Sequence, residues 1–183
     1  MATSSIVLIR HGESTFNDLY ARTGIDPGLI DAPLSPKGES QVAAARAAAA
    51  RLDAELVVTS PFTRAIQTAR GLFGADRPLL IETLHRERVT ASCDIGRSPA
   101  ALATDFPDLA FDHLDDPWWH AHDVDERGQP VEPLEAVEAR VAAFRAWLRG
   151  RPERRIAVVG HSAFFYHLTG QRFANCQMLA FAP

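Results

Sequence analysis

Three short apolar runs, each followed by a polar turn and then a helical pattern, constrain the fold of this chain most strongly. The runs are residues 6–9 (IVLI), 56–58 (LVV) and 156–159 (IAVV). Because they are continuously apolar and bounded by turn residues, they predict strands of a parallel sheet that is buried on both faces. Shorter strands are predicted near residues 79–81 and 177–181.

Helix signals lie between these runs. Ser35 and Pro36 suit the cap and the first position of a helix with an alanine-rich body. From residue 133 to 149, apolar residues recur at spacings of three and four, as on one face of an amphipathic helix. After the second apolar run, Ser60 suits an N-cap and Pro61 the first helical position. The pattern predicts one α/β domain over the whole chain, a three-layer α/β/α sandwich with a mostly parallel central sheet.

Residues 85–130 show little periodicity. We interpret this segment as a lid-like excursion over one edge of the sheet, where substrate-selecting segments are usually found. It contains four residues of metal-ligand type, His120, His122, Asp123 and Asp125, but their spacing matches no specific metal site. We therefore predict no metal here.

Composition narrows the class of protein. A net charge of −4 without a lysine or arginine run argues against nucleic acid as a partner. No stretch approaches the roughly 18 apolar residues of a membrane span, so no membrane partner is expected. Cys93 and Cys176 are isolated, and they form neither a disulfide framework nor a zinc spacing. Residues 1–5 lack the charged start of a signal peptide. These features predict a cytoplasmic location.

Polar residues follow each of the three apolar runs. Arg10 and His11 follow the first run, Arg64 lies one turn into the helix after the second, and His161 follows the third. Ligands of an open parallel sheet bind at the carboxyl ends of its strands, so we expect these side chains to converge. Helix N-termini add N–H donors there. A phosphoryl dianion is the natural ligand, and Gly12 would let the backbone approach it closely.

Four blocks of the sequence carry a family resemblance. In chain order they are LIRHGEST together with Asn17, TGIDPGLIDAPLSPKGESQ, VVTSPFTRAIQTA and VVGHS. With these blocks the chain resembles the histidine phosphatase superfamily, which includes cofactor-dependent phosphoglycerate mutases. The blocks span nearly the whole chain. The resemblance implies an enzyme acting on a small phosphorylated metabolite, with inorganic phosphate as a product and without a cofactor.

The resemblance also implies roles for the matching positions. His11 would be the nucleophile and would form a transient phosphohistidine. Arg10, Arg64 and His161 would bind the phosphoryl oxygens and stabilise charge in the transition state. Further candidate substrate contacts are Asn17, Thr23, Gly24 and Ser162.

The proton donor of the family is usually a glutamate shortly after the third strand. The corresponding segment, IETLHRER, offers two candidates. We assign the role to Glu87, and Glu82 is its rival because the spacing departs from the commoner family pattern. The acid would protonate the leaving alkoxide and then activate water.

We predict a metal-independent phosphatase that hydrolyses a small phosphomonoester through a phosphohistidine on His11. The alternatives are phosphotransfer of the phosphoglycerate mutase type, a phosphohistidine protein phosphatase, and a non-catalytic sensor of phosphorylated ligands. Mutases of the family are typically longer, and little sequence follows NCQMLAFAP here, which favours hydrolysis. Arg22, Arg86 and Arg97 are candidates for binding a second anionic group of the substrate.

Overall fold

The computed structural model describes residues 5–74, 77–126 and 128–183. In these ranges the strands are β1 (Ser5–Arg10), β2 (Leu56–Thr59), β3 (Leu79–Ile81), β4 (Arg155–Gly160) and β5 (Met178–Phe181). The α-helices are α1 (Thr15–Thr23), α2 (Pro36–Ala50), α3 (Thr63–Phe73), α4 (Pro99–Asp105), α5 (Leu134–Arg149) and α6 (Ser162–Thr169). A short 3₁₀ helix covers Ser92–Asp94. Within the described ranges, none of the helices is both long and apolar enough to cross a bilayer.

The strands form one sheet in the order β3-β2-β4-β1-β5. Strands β3, β2, β4 and β1 pair in parallel, and β5 runs antiparallel to β1. The predicted mostly parallel sheet is therefore confirmed. The antiparallel edge strand arises because the chain turns back directly after α6, without a further crossover helix.

Alternate residues of β1 face opposite sides of the sheet, and helices cover both sides. Ile9 belongs to the same buried cluster as Ile66 of α3. Leu8 belongs to a second cluster, with Phe144 of α5 and Phe164 of α6. All five side chains are fully buried, and burying a side chain of this size stabilises the fold by about 2 kcal/mol. The predicted three-layer α/β/α sandwich is confirmed.

The register between β1 and β4 places two turns side by side. Arg10, the last residue of β1, pairs with Gly160, the last residue of β4. His11 and His161 are the residues that directly follow these two strands. The backbone N–H of His11 continues the pairing by donating to the carbonyl of Gly160 at 3.0 Å. The two histidines therefore leave the sheet at the same point of its carboxyl edge.

Helix α2 begins where the sequence predicts. The Ser35 hydroxyl accepts a hydrogen bond from the N–H of Gly38 at 3.1 Å, and Pro36 opens the helix. This turn also explains Gly12, because a Cβ at Gly12 would lie 2.8 Å from the carbonyl oxygen of Gly38. The glycine is required by close packing against α2, which differs from the ligand approach suggested by the sequence.

Helix α3 begins later than predicted. Its first residue is Thr63 and its N-cap is Phe62, so the predicted cap at Ser60 and first position at Pro61 are wrong. The N–H of Thr63 donates to the Asp31 carboxylate at 2.8 Å, and the Thr63 hydroxyl donates to the same group at 2.6 Å. A carboxylate that is distant in sequence thus satisfies the helix start, and the Ser60 side chain is free for another partner.

The segment 85–130 is partly built into the core. Leu102, Phe106 and Trp118 are buried in the cluster that also contains residues of α3. The two ends of the segment, 87–94 and 125–130, contribute residues to the wall of a cleft at the carboxyl edge of the sheet. Closure of this segment as a lid stays a prediction.

Candidate active site

The histidines that follow β1 and β4 form a close pair. The ring centroids of His11 and His161 lie 5.1 Å apart. His11 is 3% exposed and lines a cleft of about 900 Å³, whereas His161 packs against it and is fully buried. The structure therefore brings together the two imidazoles that the sequence separates by most of the chain.

The surroundings of His11 fix which of its ring nitrogens can react. Nδ1 lies 2.6 Å from the carbonyl oxygen of Gly12. A carbonyl oxygen only accepts hydrogen bonds, so Nδ1 carries the proton and Nε2 keeps a lone pair. Burial, together with the positive charges of Arg64 and Arg10, lowers the pKa of His11 well below its usual value. The imidazole is therefore neutral at physiological pH, as a nucleophile must be.

His161 has one partner and one unsatisfied nitrogen. Its Nε2 lies 2.6 Å from the hydroxyl of Ser60, and its Nδ1 is buried with no partner in the described part of the chain. Burial and the neighbouring Arg64 lower the pKa of His161 well below its usual value. A hydroxyl that donates to Nε2 leaves the ring proton on Nδ1. Buried polar atoms are rarely left unpaired, so Nδ1 is a candidate donor to a ligand oxygen.

Two arginines line the cleft beside His11. The buried guanidinium of Arg64 donates to the carbonyl of Cys93 at 2.7 Å and to the carboxylate of Asp94 at 3.2 Å. Arg10 donates to the carbonyl of Phe173 at 2.7 Å, and its buried Nε has no partner in the described residues. Each guanidinium has five N–H donors, so both keep donors for an anionic ligand.

The four further candidate contacts are placed differently. Asn17, Gly24 and Ser162 line the cleft. The Asn17 side-chain oxygen accepts from the N–H of Ser14 in a capping box at the start of α1, which leaves its NH₂ group to donate. Thr23 is outside the cleft wall, and its hydroxyl donates to the carbonyl of Leu19 at 2.9 Å. The structure therefore does not place Thr23 at the site, because its side chain is used within α1.

The two candidate proton donors lie in different places. Glu87 lines the cleft, and its carboxylate accepts from the N–H groups of Phe164 at 2.9 Å and Ala163 at 3.1 Å, at the start of α6. Glu82 accepts from the N–H of Leu84 at 2.9 Å and faces a separate pocket of about 190 Å³. Of the two, only Glu87 shares a cleft with His11.

Comparison with known proteins identifies the family of this chain. The family model of the histidine phosphatase superfamily (branch 1) matches residues 6–177. The chain belongs to the histidine phosphatase superfamily. The predictions of this family and of a phosphatase or phosphoglycerate mutase-like enzyme are confirmed.

Among the relatives of this histidine phosphatase chain, some are named as phosphoglycerate mutase-like proteins and others as phosphatases. A phosphoglycerate mutase-like protein of Arabidopsis thaliana is 30% identical over 211 residues, which cover 94% of this chain and 76% of the relative. A glucosyl-3-phosphoglycerate phosphatase of Mycolicibacterium vanbaalenii is 26% identical over 171 residues, which cover 92% of this chain and 74% of the relative. The solved structure of a mycobacterial glucosyl-3-phosphoglycerate phosphatase in complex with VO3 has the same fold, with a TM-score of 0.60 and 19% sequence identity. The match covers 96% of this chain and 90% of that one.

Sequence reasoning missed several residues of this histidine phosphatase site. The sequence suggests a helix cap at Ser60, whereas its hydroxyl contacts His161. The sequence gives no signal for Asp94. It lines the cleft beside Arg64, and burial, opposed by Arg64, raises its pKa to about 6. Asn175 donates to the backbone carbonyl of His11 at 3.0 Å. Ser60 lies within the block VVTSPFTRAIQTA, but that block does not indicate its contact with His161, and no motif marks Asp94 or Asn175. Each of the three reaches the site through a contact between distant segments.

The three arginines proposed for a second anionic group are already paired. Arg22 pairs with Asp18, Arg86 with Glu132, and Arg97 with Asp31 and Asp105. None of the three lines the cleft. Arg172 does line it, and its guanidinium lies 5.1 Å from the ring of Tyr166.

The histidine-rich loop is held by local contacts. His120 Nε2 lies 2.7 Å from the carboxylate of Asp123, and its ring packs edge-on against that of His122 at 5.9 Å. Across residues 5–74, 77–126 and 128–183, no three histidine, cysteine or acidic side chains are grouped as metal ligands would be.

Proposed function

We propose that this protein hydrolyses a small phosphomonoester through a phosphohistidine on His11, with guanidinium groups supplying the positive charge. The observation that carries the proposal is the His11 ring. Its Nδ1 is fixed on the carbonyl of Gly12, so Nε2 is the free nucleophile, in a cleft that also contains Arg10 and Arg64. The phosphatase names among the relatives support hydrolysis.

In the first step, Nε2 of His11 attacks the phosphorus and forms an N–P bond, while the bond between phosphorus and the leaving oxygen breaks. Glu87 gives its proton to that oxygen, and the alcohol departs. Arg10, Arg64 and Nδ1 of His161 donate to the non-bridging oxygens, where negative charge is held in the transition state. These donors are positioned before the substrate binds, so little reorganisation is needed.

In the second step, water attacks the phosphorus of the phosphohistidine. Glu87, now a carboxylate, accepts a proton from this water, and the N–P bond breaks to return neutral His11 and inorganic phosphate. The cleft extends from His11 to half-exposed Tyr20, so it provides a path for water after the alcohol has left.

The volume and lining of the cleft support a small organic phosphate as substrate. A cleft of about 900 Å³ exceeds what a phosphoryl group fills, so space remains for a leaving group. Phe16 and Tyr20 stack with ring centroids 5.6 Å apart, and both line the cleft. Arg172 adds a third guanidinium to the lining.

The decisive experiment combines turnover with trapping of the intermediate. We expect release of inorganic phosphate from p-nitrophenyl phosphate, and its loss in His11→Ala. Quenching in base followed by mass spectrometry should find phosphate on His11. His122→Ala, at an exposed histidine outside the cleft, is the matched control and should keep wild-type turnover. Undiminished phosphate release by His11→Ala would contradict the proposal.

Phosphotransfer of the mutase type is tested in the same assay. The protein is incubated with 3-phosphoglycerate and 2,3-bisphosphoglycerate, and both products and inorganic phosphate are measured. The proposal expects phosphate release. Isomerisation without release would favour the mutase reaction instead.

A further inference from the structure

A buried cluster of charged side chains lies behind Glu87, outside the proposed reaction steps. It consists of Arg86, Glu132 and Arg140. The Glu132 carboxylate is fully buried and accepts from Nε and Nη2 of Arg140, both at 2.7 Å, and from Arg86 at 3.1 Å. Burial and the neighbouring Arg140 lower the pKa of Arg86 to about 10. Burying two cations and one anion costs desolvation free energy, so stability alone does not explain the cluster, which points to a functional role.

Arg140 is tied to the backbone on the N-terminal side of Glu87. Its Nη1 donates to the carbonyls of Leu84 at 2.7 Å and Arg86 at 3.1 Å. Its guanidinium also lies 5.0 Å from the ring centroid of Phe164. The backbone N–H of that same phenylalanine donates to Glu87. One guanidinium therefore contacts both the segment that carries the acid and the residue that binds its carboxylate.

Glu132 ties down the other side of the segment. Its backbone N–H donates to the carbonyl of Val89 at 2.9 Å, and its own carbonyl accepts from Nε of Arg88 at 3.0 Å. Backbone carbonyls are therefore hydrogen-bonded on both sides of Glu87: those of Leu84 and Arg86 before it, and that of Val89 after it. The segment has no helix or strand of its own, so these contacts supply the rigidity that regular structure would give.

We propose that Arg140, oriented by Glu132, is a positioning residue that holds Glu87 within proton-transfer distance of the leaving oxygen. This inference rests on the proposed function, in which Glu87 is the acid. Proton transfer needs a heavy-atom distance of about 2.6–3.2 Å, and a misplacement of about 1 Å can cost about 100-fold in rate. Lysine cannot replace this arginine, because it lacks the planar fork that pairs with Glu132 while Nη1 binds the two carbonyls.

The test compares two substrates that differ in their need for an acid. Phenyl phosphate releases a more basic phenolate than p-nitrophenyl phosphate, so its cleavage depends more on protonation of the leaving oxygen. We expect Arg140→Lys to lower kcat/KM for phenyl phosphate about tenfold more than for p-nitrophenyl phosphate. Glu87→Gln should show the same selectivity, and Arg140→Lys should add no further selective loss to Glu87→Gln.

The matched control is Arg145→Lys on the same helix. Arg145 also donates to a backbone carbonyl, that of Leu168, and its guanidinium lies 5.1 Å from the ring of Phe181. The Arg145→Lys variant should leave the ratio of kcat/KM for phenyl phosphate to kcat/KM for p-nitrophenyl phosphate unchanged. Glu132→Gln is a second test variant of nearly the same shape, for use if Arg140→Lys fails to fold. It should lower the rate for phenyl phosphate selectively, by a smaller factor.

The outcomes separate the inference from the proposed function. An equal loss on both substrates in Arg140→Lys, or a selective loss that adds in full to that of Glu87→Gln, overturns the positioning role. If Glu87→Gln itself leaves the ratio unchanged, the acid assignment fails and the inference fails with it. If Glu87→Gln shifts the ratio and the Arg140 and Glu132 variants do not, only the inference fails.

Discussion

The hydroxyl oxygen of Ser60 lies 2.6 Å from Nε2 of His161, although 101 positions separate the two residues. Ser60 follows β2 and His161 follows β4, and these strands are neighbours in the sheet. The contact selects the orientation of an imidazole whose other nitrogen has no partner among the described residues. It is the clearest case in this structure of a side chain that prepares the site without lining the cleft.

We expect Ser60→Ala to lower kcat/KM for p-nitrophenyl phosphate about tenfold, equivalent to about 1.4 kcal/mol, the scale of one lost hydrogen bond. The physical reason is that His161 then loses the group that fixes its tautomer. The ¹⁵N chemical shifts of histidine-labelled protein should show the change at His161. Ser35→Ala is a matched control, because it removes a buried helix-capping hydroxyl. Ser35→Ala should lower the free energy of unfolding by about 1 kcal/mol and leave kcat/KM unchanged. Wild-type activity and shifts in Ser60→Ala would contradict the prediction.

The two cysteines should be unreactive despite the position of Cys93 in the cleft wall. Burial raises the pKa of both thiols, that of Cys176 to about 11. At pH 8 the thiolate fraction of Cys176 is then about one in a thousand, and that of Cys93 is lower still. Iodoacetamide at pH 8 should therefore leave turnover unchanged over hours. In urea both thiols should be alkylated, as mass spectrometry would show. Rapid inactivation that inorganic phosphate prevents would be the contrary result.

His85 should make the protein sensitive to acid. Its ring is fully buried and stacks on Phe144, and burial lowers its pKa to about 3. Below pH 6.5 the unfolded chain binds a proton that the folded chain does not, so stability is lost as the pH falls toward 3. At pH 5 this loss amounts to about 2 kcal/mol for His85 alone.

The measurement is urea unfolding at pH 7 and pH 5 of wild type and His85→Gln. Glutamine keeps a donor for the carbonyl of Val159, which the ring contacts at 3.1 Å, and it cannot titrate. The variant should be less stable at pH 7, because it loses the stacking on Phe144. Its loss of stability between the two pH values should nevertheless be about 2 kcal/mol smaller than that of wild type. His122→Gln, at an exposed histidine, should keep the wild-type loss. An unchanged pH dependence in His85→Gln would refute the argument.

Much of the fold follows from local patterns. The apolar runs at 6–9, 56–58 and 156–159 all form strands, since each buries residues on both faces of the sheet. The helix that begins after Ser35 is also local, because its cap lies within one turn. The start of α3 could not be predicted in this way. The N–H of its first residue, Thr63, is satisfied by Asp31, which is 32 positions away.

The choice between the two acids shows where local reasoning ends. Glu82 and Glu87 are five positions apart in a segment without regular structure, so no period indicates which side chain enters the cleft. That segment is hydrogen-bonded to Arg140 and Glu132, which come from a different part of the chain. Of the two acids, Glu87 is the one that lines the cleft with His11.

The sequence alone determined the strands, the chain positions of the candidate nucleophile and the arginines, and the family, because these depend on residue type and short-range order. The tertiary structure decided which groups surround them. It places Ser60 on His161, Asp94 on Arg64 and Glu87 in the cleft. These contacts join residues far apart in the chain, and they form only when the sheet register and the buried charge network have fixed the relative positions of whole segments.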